Sequence, residues 1–338
     1  MNICKLCVLP ENPPQITLNS DGVCSLCSDP GLKNSLEAGK NLMLETELVR
    51  ILNKNKGSGR YDCLVMCSGG KDSTSSLYYV KKKYKLNPLA FTFDHGFETE
   101  DALNNVKNAV EKLGVEWILF RTDYIKDLFA EMLKSKTRAV ICHLCSIWYM
   151  QLTFEMAANF RIPIIIAGWT KGQSNLGSIM TKCACDISAP EFKEMAESTK
   201  DFLVNRLKMI PKYKDFPSSM EEVLKKAEKR QKTLVLSPHW FIRKSPEEYT
   251  KTIEEELGWK YPALSYPGKS TNCLMNFVSS YLSYKHYGYT HYHVEMSKLI
   301  RMNLMTRDEA LTLLKIDFSD SLLNDILSHL GLSLKDIL

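Results

Sequence analysis

An α/β fold, a parallel sheet with helices on both faces, is predicted by three features of this 338-residue sequence. From Tyr61 onward, apolar runs of strand length alternate with helical patterns, the order that builds a parallel sheet. The run Leu64-Val65-Met66 leads through Cys67-Ser68-Gly69-Gly70-Lys71-Asp72-Ser73 into a helical pattern from Thr74 to Val80. A strand, a glycine turn and a helix start therefore follow one another. Later runs end on polar, glycine-bearing turns, Asp94-His95-Gly96 and Gly168-Trp169-Thr170-Lys171.

Residues 1–30 read as a knuckle. Cys4 and Cys7, then Cys24 and Cys27, form two Cys-x2-Cys pairs separated by turns at Pro10, Pro13, Pro14 and Asp21-Gly22. Four thiolates in this spacing can close a tetrahedral, structural Zn²⁺ site. A helical pattern through Leu36, Leu42, Leu44, Leu48 and Leu52 and a polar linker fill residues 31–59.

Residues 60–190 carry the sheet. Strand one ends at Met66, strand two is Pro88–Phe93, strand three Glu116–Phe120 and strand four Pro163–Ala167, with helices over 99–113 and 147–160. Residues 191–258 mix Lys and Glu in helical patterns, most of them a solvated face. Residues 259–338 are a C-terminal helical region, aromatic-rich at first, with helices near 292–303 and 307–315, the second capped by Thr306.

Ligands of open parallel sheets bind beyond the carboxyl ends of the strands, so these turns converge on one pocket. Gly69 and Gly70 let the backbone approach an anion, and the N–H groups of the following helix point at it. Lys71 adds charge, Ser68 and Ser73 add hydroxyls, and Asp72 stands where it caps the helix or helps hold a metal. The spacing is not that of the Walker loop, which disfavours ordinary kinase and GTPase readings.

Ser68-Gly69-Gly70-Lys71-Asp72-Ser73 closely resembles the PP-loop of the ATP pyrophosphatases, of adenine nucleotide alpha-hydrolase-like fold, which split ATP between the α- and β-phosphates. The resemblance implies that Ser68, Gly69, Gly70, Lys71, Asp72 and Ser73 hold the pyrophosphate, and that Phe93, Asp94 and Gly168 meet the rest of the nucleotide. It makes Lys71 and Asp72 catalytic. The Cys-Lys-Leu-Cys opening, Leu257-Gly258-Trp259-Lys260 and Met305-Thr306-Arg307-Asp308-Glu309 resemble the N-acetyl sugar amidotransferases of surface-polysaccharide and nonulosonic acid synthesis. Such enzymes activate an acetamido oxygen with ATP and Mg²⁺, and ammonia from a glutaminase partner then displaces AMP.

Cys142-His143-Leu144-Cys145 departs from that family. It resembles the pair in PP-loop enzymes that thiolate tRNA, where two cysteines and a distant third hold a [4Fe-4S] cluster. Cys273, or one of Cys183 and Cys185, is the candidate third ligand, and Cys145 the candidate catalytic thiol. A second zinc site with Cys183 and Cys185, a redox pair and small buried residues are the competing readings.

Eleven cysteines without a secretion signal point to metals or reactive thiols and to a cytoplasmic location. No apolar run is long enough to span a membrane. The net charge of +5 suits a phosphorylated substrate without arguing for nucleic acid. The expected enzyme adenylates a carbonyl of a sugar or sugar nucleotide and lets ammonia displace AMP. A sulfurtransferase fed by a sulfur donor, acting on a small molecule or a tRNA base, and a non-enzymatic zinc-knuckle module are the alternatives. A homodimer is compatible with either enzyme.

Overall fold

The computed structural model describes residues 2–32, 44–173, 190–268 and 273–338. Cys183 and Cys185, and the start of the helical pattern at Leu36 and Leu42, lie outside the described residues. Five strands form one sheet: β1 (Cys63–Met66), β2 (Pro88–Asp94), β3 (Glu116–Arg121), β4 (Ile164–Ile166) and β5 (Leu234–Leu236). Their spatial order is β3-β2-β1-β4-β5, and every pairing is parallel.

Both faces of this sheet are covered, which is why its inner strands read as unbroken apolar runs. Leu64, Met66, Leu89, Phe91, Phe93 and Ile165 join one core. Cys63, Val65, Cys67, Ala90, Ile164 and Ile166 join the other. Successive side chains leave a strand on opposite faces, so each strand serves both layers. Cys63 and Cys67 are small core residues, as their sequence setting indicates.

The helices are α1 (Glu45–Asn55), α2 (Lys71–Tyr78), α3 (Glu100–Leu113), α4 (Tyr124–Lys134), α5 (Ile141–Asn159), α6 (Pro190–Asn205), α7 (Met220–Arg230) and α8 (Pro246–Leu257). The C-terminal region adds α9 (Met275–Tyr287), α10 (His291–Arg301), α11 (Arg307–Leu313), α12 (Asp320–Ser328) and α13 (Leu334–Ile337). Helix α3 starts on a Thr99 cap that accepts from the Ala102 N–H and stops at Gly114, whose φ of +59° an L side chain resists. Helix α11 starts on a Thr306–Glu309 capping box, as its sequence predicts.

Two expectations are corrected. Residues 191–258 are not helical throughout: Leu234-Val235-Leu236 adds the edge strand β5 beside β4. Three residues are too few to show a period against the charged helices around them. Helix α5 begins at Ile141 rather than near 147, so Cys142 and Cys145 lie inside it. Apolar residues surround that helix, leaving no amphipathic boundary to mark its start. Among the described residues no helix is long and apolar enough to cross a membrane.

Candidate active site

The strand order reverses between β1 and β4, and a crevice opens at such a switch point beyond the carboxyl ends. The turn after β1 is the Ser68–Ser73 loop. Gly69 takes φ +79°, and a Cβ there would stand 2.1 Å from the Ala102 carbonyl oxygen, so only glycine fits. The Ser68 N–H donates to Ser73 Oγ at 3.2 Å, and Ser73 Oγ donates to the Gly70 carbonyl at 3.1 Å. The Gly69 carbonyl accepts from Trp259 Nε1 at 2.8 Å and from Asn105 Nδ2 at 3.3 Å.

Lys71 and Asp72 form a half-buried ion pair, Nζ to Oδ2 at 2.7 Å. Burial works against the Lys71 charge, but Asp72 beside it holds its pKa above the ordinary value. Burial would raise the Asp72 pKa; the charges of Lys71 and His239 and the Tyr249 hydroxyl hold it down instead. The Tyr249 hydroxyl donates to Asp72 Oδ1. His239 Nε2 donates to the Asp72 carbonyl at 2.9 Å. Glu295 of α10 lies close enough for its charge to act on both Lys71 and Asp72. Burial first, and then Asp72, push its carboxyl up to about 7 against Lys71.

Gly168 after β4 abuts this loop: a Cβ there would come within 2.7 Å of the Ser73 backbone. Its visible role is to let the β4 turn lie against the helix start. Phe93, expected at the nucleotide, turns into the core, where its ring stacks on Tyr149 and Phe120. Asp94 closes its own turn, Oδ1 accepting from the Gly96 N–H at 2.7 Å, while Oδ2 lies 3.4 Å from Arg121 Nε.

A second group gathers beside this loop, also at the carboxyl edge. Because α5 leads into β4, it runs against the strands and brings its first turns, with Cys142 and Cys145, to that edge. The two cysteines are three apart and share one face of the helix, whose N-terminal dipole favours thiolates. The Cys142 thiol donates to Asn276 Oδ1 at 3.8 Å. Cys273 precedes α9 and pairs by a backbone bridge with Glu98, just past β2. Burial, and then the charges of Glu98, Cys145 and Cys142, push the Cys273 thiol well above its ordinary value. The charges of Cys142 and Cys145 thus reach Cys273 across a shared rim.

The knuckle stands apart. The Cys4, Cys7, Cys24 and Cys27 sulfurs all lie within 4.8 Å of one another and all four residues are buried. Backbone N–H groups of Cys7 and Cys24 donate to Cys4 Sγ at 3.4 and 3.2 Å. The sulfurs of Cys24 and Cys7, and then burial, push the Cys27 thiol up, while hydrogen bonds with Cys24 and Cys27 hold the Cys7 thiol far below its ordinary value. This donor set fits a metal ion closed off from substrate. Arg307 Nε donates to the Cys4 and Cys7 carbonyls at 3.2 and 3.1 Å, and the Val8 N–H to Ser297 Oγ at 3.2 Å, tying the knuckle to α10 and α11.

Sequence reasoning missed Tyr249, His239, Asn105, Glu98 and Glu295. Nothing in their local pattern sets them apart from other polar residues of charged helices and turns. Trp259 lay within a segment that had been singled out, without a role.

Two family models match. Residues 62–175 match the queuosine biosynthesis protein QueC, of the PP-loop ATP pyrophosphatase family. Residues 271–337 match the C-terminal domain of the LPS biosynthesis protein WbpG-like family. An uncharacterized protein of Methanocaldococcus jannaschii is 26% identical over 268 residues, covering 79% of this chain and 77% of its own. Among solved structures, the U34-tRNA thiolase NcsA of Methanococcus maripaludis with its [4Fe-4S] cluster aligns at a TM-score of 0.37 and 15% identity, over 90% of this chain and 88% of its own. The NAD⁺ synthetase of Burkholderia pseudomallei aligns at 0.38 and 12% identity, over 83% and 87%.

Proposed function

Because this chain is an enzyme of the PP-loop ATP pyrophosphatase class, we propose that it adenylates the acetamido oxygen of an N-acetyl sugar and lets ammonia displace AMP. The observation that carries the acceptor is the packing of the WbpG-like region near the loop: α10 sets Glu295 and Leu299 against Gly172 in the turn after β4, and the Glu295 charge reaches Lys71 and Asp72. The LPS-related segment would then border the ATP site in this reading.

The chemistry follows from the residues. An amide carbonyl is a poor electrophile, and transfer of adenylate to its oxygen makes that oxygen a leaving group. The oxygen attacks the α-phosphorus, and pyrophosphate departs into the backbone N–H groups of the Ser68–Ser73 loop. Lys71 Nζ turns from Asp72 to the departing phosphates. Tyr249 and His239 keep Asp72 in place meanwhile. Mg²⁺, bound by the phosphates and Asp72, would supply further charge stabilisation. Ammonia from a glutaminase partner then attacks the carbon, AMP leaves with the oxygen, and an amidine remains. In the knuckle Cys4, Cys7, Cys24 and Cys27 hold Zn²⁺ in a structural role.

One observation favours a second reading, in which sulfide from a sulfur donor replaces ammonia. Cys142, Cys145 and Cys273 share the rim and would hold a [4Fe-4S] cluster that offers sulfide an open iron.

Lys71→Ala and Asp72→Ala are expected to abolish ATP–pyrophosphate exchange and AMP formation; full activity in either overturns the adenylation reading. Mass spectrometry of the product from N-acetyl sugars with ammonia or sulfide separates the nucleophiles. An amidine supports the first reading and a thio-substituted product the second.

A further inference from the structure

Three donor atoms of different chemistry converge past the end of β2. His95 Nε2 lies 3.5 Å from Glu98 Oε1 and 3.6 Å from Cys273 Sγ. All three donor atoms lie within 4.8 Å of one another. The surrounding fold fixes them. The bridge between Glu98 and Cys273 is closed by the Leu274 N–H, which donates to the Phe97 carbonyl at 2.8 Å. The His95 ring is wedged among Phe93, Phe97 and Phe129, with centroids 5.6 to 5.9 Å away.

We propose that His95, Glu98 and Cys273 are the three protein ligands of a zinc-type divalent cation with an open fourth position. Tetrahedral Zn²⁺ with N and O ligands at about 2.0–2.1 Å and S at about 2.3 Å sets its ligand atoms roughly 3.3–3.6 Å apart. The His95–Glu98 and His95–Cys273 separations already have that size, and the Glu98–Cys273 separation lies within 4.8 Å. Three mixed ligands with one vacant position are the pattern of catalytic zinc, whereas the four-thiolate knuckle is a closed set. The vacant position takes one oxygen, nitrogen or sulfur donor of a substrate and polarises it.

In the metal-free arrangement the Phe97 N–H donates to His95 Nδ1 at 3.2 Å, which leaves the Nε2 proton between Glu98 and Cys273. A divalent cation replaces that proton. The ring hydrogen then resides on Nδ1, and the bond from the Phe97 N–H is given up. The ligands come from both matched segments, His95 and Glu98 from residues 62–175 and Cys273 from 271–337. The tripod exists only where the two are joined, a combination neither family match records.

This site stands independently of the adenylation reading, since its readout is metal content and not pyrophosphate exchange. The full chain, expressed with zinc, is expected to hold two zinc ions, falling to one in Glu98→Gln, His95→Asn and Cys273→Ser while the knuckle ion remains. Retention of the knuckle ion also reports that the variants fold. Cys145→Ser is expected to keep both ions, because the fourth position is open. Zinc X-ray absorption of the wild-type protein tests the same point without mutation and should show nitrogen and oxygen neighbours beside sulfur. An all-sulfur shell, a single zinc removed by Cys7→Ser, or two zinc ions in Glu98→Gln and His95→Asn overturns the proposal. So does iron with sulfide that is lost in Cys142→Ser, Cys145→Ser and Cys273→Ser but kept in His95→Asn.

Discussion

The two cysteine groups of this protein are built in opposite ways. In the knuckle, four sulfurs from 24 residues of chain close on one point, all buried. At the rim, Cys142 and Cys145 come from the start of one helix and Cys273 arrives by a backbone bridge from the far end of the chain. Its neighbours are His95 and Glu98 as well as thiols. A closed set of like donors has every position filled and can only hold the fold. Mixed donors drawn from distant segments would leave a position open, and they lie past the carboxyl end of β2.

That contrast is broken most strongly at the knuckle itself. Cys7→Ser is expected to abolish cooperative folding, since structural zinc contributes on the order of 10 kcal/mol of metal-linked folding energy. Thermal unfolding followed by circular dichroism measures it, and a wild-type transition in the variant would remove the structural role. At the rim the same chemical change should do the reverse. Cys145→Ser is expected to keep its melting transition and AMP formation while losing final product, placing this thiol in the second half-reaction; retained product would remove it from the chemistry.

Arg307→Ala sharpens the link between the knuckle and the C-terminal helices. Losing a charged donor to the Cys4 and Cys7 carbonyls should lower stability by about 1.5–3 kcal/mol, read from denaturant midpoints. A pH-dependent effect concerns Glu295, where the C-terminal region meets the loop. Its folded pKa of about 7 stands above the ordinary 4.5, so between those values the folded state binds more protons than the unfolded one. Stability therefore falls as pH rises through that window, and Glu295→Gln should flatten the decline. Melting temperatures at about pH 5 and about pH 8 test the sign, and parallel declines would contradict it.

Much of the fold was legible because it rests on local signals. Glycine at 69, the cap at Thr306 and the stop at Gly114 each follow from backbone geometry that only certain residues accept. Strands β1, β2 and β4 announced themselves as buried runs, and the edge strand β3 as an apolar run flanked by charges. Strand β5 did not, because three residues borrow their sheet position from β4. The start of α5 was obscured by its uniformly apolar surface. Within the site, the loop and the knuckle were readable from spacing, since their ligands are neighbours in sequence. Strand alternation shows that the Phe93 side chain faces one layer or the other, and the structure shows that this layer is core.

The sequence by itself determined the phosphate cradle, the four-thiolate knuckle and the parallel sheet, since each depends on residues a few positions apart. Only the tertiary structure decided what surrounds the loop: Tyr249 and His239 fixing Asp72, Trp259 holding the Gly69 carbonyl, and Glu295 facing Lys71. It alone set Cys273 against His95 and Glu98. Contacts of this kind span more than 150 residues, and no local pattern encodes them. Chain closure over such distances is settled by the packing of whole layers, which brings together side chains that have no relation along the chain.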